Sequence, residues 1–113
     1  MEIQTSIRKQ DDIIVFTITD REVTHNNSAS LKEKLFLEIA DGNKQIVLDM
    51  LNVKEMDSSG LGALLFGKRQ ANNAGGNVVF VSENPHVQTM IRIAQLSHVF
   101  EFYPTVEDAL KSF

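Results

Sequence analysis

Three short runs of β-branched and aliphatic residues constrain this chain more than any other feature: Ile13-Ile14-Val15-Phe16-Thr17-Ile18, Gln45-Ile46-Val47-Leu48-Asp49 and Asn77-Val78-Val79-Phe80-Val81-Ser82. Each is nearly continuous in apolar residues. A strand with one wet face alternates apolar and polar side chains, so runs like these predict strands covered on both faces. Between them lie segments of helical period. One has Asn27 or Ser28 as its cap and a stripe of Leu31, Leu35 and Ile39 with Phe36 beside it, and Gly42-Asn43 closes it. A second runs from Ser58 to Ala74 and is closed by Gly75-Gly76. Parallel strands need crossovers of this length, so a mainly parallel sheet covered by helices is expected.

The rest of the chain fits around that frame. Ile3, Thr5, Ile7 and Lys9 alternate with polar neighbours and predict an edge strand, an antiparallel or edge addition to the sheet, followed by a turn at Asp11-Asp12. Asp20 to Asn27 is polar and predicts a loop. Met50 to Asp57 is a link. Asn84 caps a helix with Pro85 at its first position and Val87, Met90, Ile91 and Ala94 on its apolar face. Val99-Phe100-Glu101-Phe102 predicts a short strand. Thr105 caps a last helix, supported by Asp108 three residues on. The fold class is therefore α/β, with a mixed, mainly parallel sheet of about four to five strands and about four helices.

Composition excludes several functions. With 113 residues the chain suits one domain. It has no cysteine, so disulfides, thiolate metal sites and cysteine nucleophiles are ruled out. A net charge of −4 argues against a general affinity for nucleic acid or anionic membrane. No run is long and apolar enough for a membrane span, and the opening Met1-Glu2-Ile3-Gln4-Thr5-Ser6 has no basic or apolar leader, so a cytoplasmic protein is expected. There is no phosphate-binding G-x-x-x-x-G-K-[ST] and no G-x-G-x-x-G after a strand. His25, His86 and His98 lack metal-ligand spacing and are expected as surface or capping histidines. No metal and no cofactor are expected.

One segment carries a sharp signal. Met56-Asp57-Ser58-Ser59-Gly60-Leu61-Gly62 stands between a buried strand and an apolar helix. Asp, Ser, Ser and Gly there are good capping chemistry, and simple capping is one reading. The other begins from the same physics. A helix start has unsatisfied N–H groups and partial positive charge, so a phosphoserine there is tolerated while the local surface turns acidic. An enzyme using Asp57 and Ser58 themselves is not expected, because no further base or oxyanion donor accompanies them.

These residues, preceded by Ile46-Val47-Leu48-Asp49, resemble the signature of the STAS domain, nearest to the bacterial anti-sigma-factor antagonists of sporulation and stress-response switches. The likeness in element order extends from Ile3 to Leu110, and the Gly75-Gly76 turn and the Pro85 helix fit it as well. The resemblance implies a single STAS domain over residues 1–113. It further implies a partner switch in which an anti-sigma factor that is also a serine kinase phosphorylates Ser58. A metal-dependent serine phosphatase reverses the step, and the unmodified protein binds the anti-sigma factor and frees a sigma factor. Carried over, Asp57 orients the site and contacts the partner, Ser59 is a helix cap, and Gly60 and Gly62 keep the surface low for the kinase. The family's Gly-Glu-Leu-Asp loop is altered here to Arg21-Glu22-Val23-Thr24. Glu22 holds the acidic place and Thr24 replaces the final Asp, so this segment is either a partner-recognition loop or an ordinary solvated one. The altered loop also leaves open a constitutive STAS scaffold or an accessory subunit of a transporter or signalling assembly. Leu61, Leu64, Leu65 and Phe66 lie almost all round the following helix, and burial on both sides is expected rather than a partner patch.

Overall fold

In the computed structural model, which describes residues 1–113, the three apolar runs lie side by side. β2 (Ile13–Ile18), β4 (Gln45–Asp49) and β6 (Asn77–Val81) pair in parallel, with Phe16 opposite Leu48 and Leu48 opposite Phe80. β1 (Thr5–Gln10) pairs antiparallel with β2 at one edge. Asp11, at a φ of 56°, makes the expected turn between them. β7 (Phe102–Tyr103) closes the other edge, giving the order β1-β2-β4-β6-β7.

Alternation divides the strand residues between two cores. Ile14, Phe16, Ile18, Ile46, Leu48, Val78 and Phe80 face one side. There they meet Leu31 and Leu35 of α1 (Ser28–Ala40), Ala63 and Leu64 of α2 (Ser58–Asn73), and Val87 and Ile91 of α3 (Pro85–Ile93). Val15, Val47, Val79 and Val81 face the other side, where α4 (Val106–Leu110) covers them with Ala109. The three central strands are mostly apolar because both of their faces are dry.

Several expectations need correction. Residues 20–27 and 50–57 are not simply loop and link. Glu22–Val23 and Glu55–Met56 form short strands β3 and β5, paired in parallel as a separate two-stranded ribbon. Val23, Met50, Val53 and Met56 are buried, and these isolated apolar residues draw two polar-looking segments onto the core. Asn27 stands at the N-cap position of α1, but its side chain makes no capping bond. Its Oδ1 accepts from the Thr24 N–H at 3.0 Å and its Nδ2 donates to the Glu22 carbonyl at 2.9 Å, so the buried side chain braces the preceding loop. The last strand is Phe102–Tyr103 rather than 99–102. The Leu96 carbonyl accepts from both Val99 and Phe100 N–H, so the chain is still turning there. Phe100 instead packs edge-on against Phe80, with ring centroids 4.9 Å apart.

Other local expectations hold. Asn84 Oδ1 accepts from the His86 N–H with Pro85 at the first helical position, and Thr105 Oγ1 accepts from the Asp108 N–H. No helix is long and apolar enough to cross a membrane. The apolar girdle of α2 is largely buried: Ala63 and Leu64 are in the core and Leu61 and Leu65 pack against it. Phe66 is half-covered, with the Lys32 ammonium 5.9 Å from its ring.

Candidate functional site at the start of helix α2

The β3–β5 ribbon sets the approach to α2. Met56 pairs with Val23 and is buried, and the next residue, Asp57, adopts extended backbone (φ −112°, ψ −173°) before the helix begins at Ser58. Asp57 is the N-cap. Its Oδ1 accepts from the Gly60 N–H at 2.9 Å. Ser59, expected as a cap, is not one. It is exposed and lies inside the helix at its second position, with Asp57 already at the cap.

The second carboxylate oxygen reaches across to the loop after β3. Asp57 Oδ2 accepts from the His25 backbone N–H at 2.9 Å and lies 3.2 Å from His25 Nδ1. The carboxyl is held down to about 2, first by the Gly60 N–H and then by that of His25, with the imidazole adding to both. Asp57 is therefore a fixed negative charge at every physiological pH.

Ser58 occupies the first helical position and is exposed. Because Asp57 closes the helix end, the Ser58 hydroxyl is not required for the cap. Gly60 and Gly62 turn out to differ. Gly62 is half-exposed, and a Cβ there would meet nothing within 4 Å, so the space beside it is open. Gly60 does not serve approach by a partner, because it is buried. A Cβ there would run into the Val23 carbonyl and come within 2.7 Å of Met56 Cγ. Its role is to let α2 lie against the ribbon.

Glu22 and Thr24 do not touch Asp57 directly. Glu22 Oε1 accepts from Asn26 Nδ2 at 3.2 Å and Thr24 Oγ1 accepts from the Asn26 N–H at 3.3 Å. Both belong to the loop that residue 25 ties to Asp57, so the two candidate segments form one surface. His25 is the member that sequence reasoning missed. It is exposed as expected of a surface histidine, but it belongs to this cluster. Residues 25 and 57 are 32 positions apart, and only the ribbon pairing brings them together. No group of three or more His, Asp or Glu side chains is placed to hold a metal ion.

A family model of the STAS domain matches residues 4–109. This chain belongs to the STAS-domain family. Among curated STAS relatives, the anti-sigma F factor antagonist of Paenibacillus polymyxa is 25% identical over 111 residues, spanning 97% of this chain and 94% of that protein. The crystal structure of an anti-sigma factor antagonist from Mycobacterium paratuberculosis superposes with a TM-score of 0.85 at 24% identity, over 98% of this chain and 93% of that one. The Bacillus cell fate determinant SpoIIAA, in its phosphorylated form, superposes with a TM-score of 0.73 at 19% identity, over 96% and 98% of the two chains. The STAS fold is thus shared along nearly the full length.

Proposed function

We propose that this STAS-domain protein is an anti-sigma-factor antagonist, a partner-switching regulator rather than an enzyme, gated by phosphorylation of Ser58. The observation that carries the proposal is an exposed hydroxyl on the first residue of α2, beside a carboxylate that has already taken over the capping bond. A helix that does not depend on Ser58 for its cap can have that residue modified without being undone.

The unmodified protein binds an anti-sigma factor that is also a serine kinase, and so releases a sigma factor. In the kinase reaction the Ser58 Oγ–P bond forms as the bond from the γ-phosphorus of ATP to ADP breaks. The hydroxyl proton passes to a base of the kinase. A metal-dependent serine phosphatase hydrolyses the ester, restoring the hydroxyl and releasing inorganic phosphate. Asp57, Ser58, Ser59 and Gly62, with the Glu22–Thr24 loop, form the contact surface, and Gly60 holds its two halves together.

The magnitudes are adequate. A phosphoserine adds about −1.5 to −2 charges, which the helix start tolerates with a gain of roughly 0.3–1 kcal/mol. A hundredfold loss of partner affinity needs about 2.7 kcal/mol. Two like charges 4 Å apart repel by about 4 kcal/mol at an effective dielectric near 20. The test is incubation with the anti-sigma-factor kinases of the source cell and ATP, followed by peptide mass mapping and binding assays. Phosphate is expected on Ser58, with binding retained by Ser58→Ala and lost by Ser58→Asp. Phosphate on another residue, or equal binding by the two variants, would contradict the proposal.

A further inference from the structure

We infer that the His25 side chain is a positioning residue that grips the phosphoryl group placed on Ser58, an inference that rests on the reading of Ser58 as the modified residue. Asp57 does not need the imidazole. One of its oxygens is satisfied by the Gly60 N–H, and the other already accepts from the backbone N–H of residue 25, which any amino acid there except proline would supply. The loop therefore stays tied to α2 without the imidazole. The ring is 76% exposed and contributes little packing, and an ion pair at such a surface adds little stability.

The ring is nevertheless held by one nitrogen, because Nδ1 lies 3.2 Å from Asp57 Oδ2 while Nε2 has no partner. A neutral ring that gives its Nδ1–H to Asp57 presents only a lone pair at Nε2. An imidazolium gives Nδ1–H to Asp57 and Nε2–H to a second anion at the same time. Ser58 directly follows Asp57 at the exposed start of α2, so a phosphate on it is the proposed second anion. His25 then bridges the capping carboxylate and the phosphate, and it couples the modified surface to the loop that carries Glu22 and Thr24.

Acidic and basic groups both border this loop, with Asp20, Glu22 and Glu55 beside Arg21 and Lys54. Glu22 is bonded to Asn26, and Glu55 lies opposite Glu22 in the ribbon. Glu33 and the Lys34–Glu2 pair border the hollow beside Asn26, and Lys34 is already matched to Glu2 at 3.2 Å. The first turn of α2 has no acidic residue of its own, and Asp57 is the carboxylate in contact with the ring.

The test installs phosphoserine at position 58 of the full chain by genetic encoding, so that no kinase is needed, and follows the phosphorus resonance against pH. A free phosphoserine loses its second proton near pH 6. A donor at His25 favours the dianion, so His25→Ala should raise the midpoint by roughly 0.5 unit, with partial return in His25→Gln. The unphosphorylated variants should melt with the wild type, which separates this role from a structural one. Equal phosphate midpoints in wild type and His25→Ala would overturn the inference. Failure of the underlying reading shows differently, as the absence of phosphate from Ser58 in protein exposed to its kinases, and it leaves the encoded-phosphoserine result able to decide the role of His25.

Discussion

Asp57 is the hinge of the site at the level of single residues, because one carboxylate closes a helix and fastens a loop. Its folded-state pKa of about 2 lies below the ordinary 3.8. The stability it contributes is therefore fully present above about pH 4 and disappears as pH falls through about 2. Asp57→Ala should lower Tm at pH 7, and its gap from the wild type should close near pH 2, as followed by circular dichroism. A gap that persists unchanged at pH 2 would mean that the carboxylate's charge is not what matters. The Asp-Ser-Ser-Gly string makes the site legible from the amino-acid order alone. It does not identify the cap, because Ser and Asp are both good caps and spacing does not choose between them. His25 has no local signal. Its place in the site depends on a tertiary pairing that no window of sequence contains.

At the scale of elements, two glycines separated by one residue do opposite jobs. Gly60→Ala forces α2 away from the Val23 carbonyl and should destabilise the protein by roughly 1–3 kcal/mol, with loss of partner binding as the ribbon shifts. Gly62→Ala adds a methyl group in open space within a helix and should stabilise by roughly 0.5–1 kcal/mol. If it also weakens partner binding, this face of α2 is part of the contact. Urea unfolding and a binding titration on the pair separate these effects. The major strands and helices are readable because their apolar periods are long. The ribbon of β3 and β5 is not, since two residues per strand give no period to detect and only the isolated Val23 and Met56 betray it. The final strand is displaced for a related reason. Phe100 is apolar because it packs on Phe80, and a short apolar run does not say whether its backbone is extended.

At the scale of the whole molecule, the sheet carries α2 on a buried scaffold and so fixes where Ser58 stands. Lys68 of α2 is 7% exposed and donates to Asn77, to the Val78 carbonyl and to Glu101, tying the helix to β6 and to the segment before β7. Glu101 is held below the usual carboxylate range first by the Asn77 amide and then by Lys68, so this link weakens as acid protonates it. Glu101→Ala leaves a buried ammonium without its counter-charge and should cost roughly 1 kcal/mol, since Glu101 is itself half in water. Lys68→Met keeps the stem, removes the charge and should cost less, as measured by denaturant midpoints. The reverse order would show that the ammonium is stabilised by Asn77 and the Val78 carbonyl alone.

The most direct measurement is peptide-resolved mass spectrometry of this protein taken from its own cells, compared across conditions under which the proposed switch would operate. The account predicts a population carrying one phosphate, located on Ser58, whose fraction changes with the condition. A phosphate found elsewhere while Ser58 stays unmodified, or a Ser58 peptide that is bare under all of them, would contradict it.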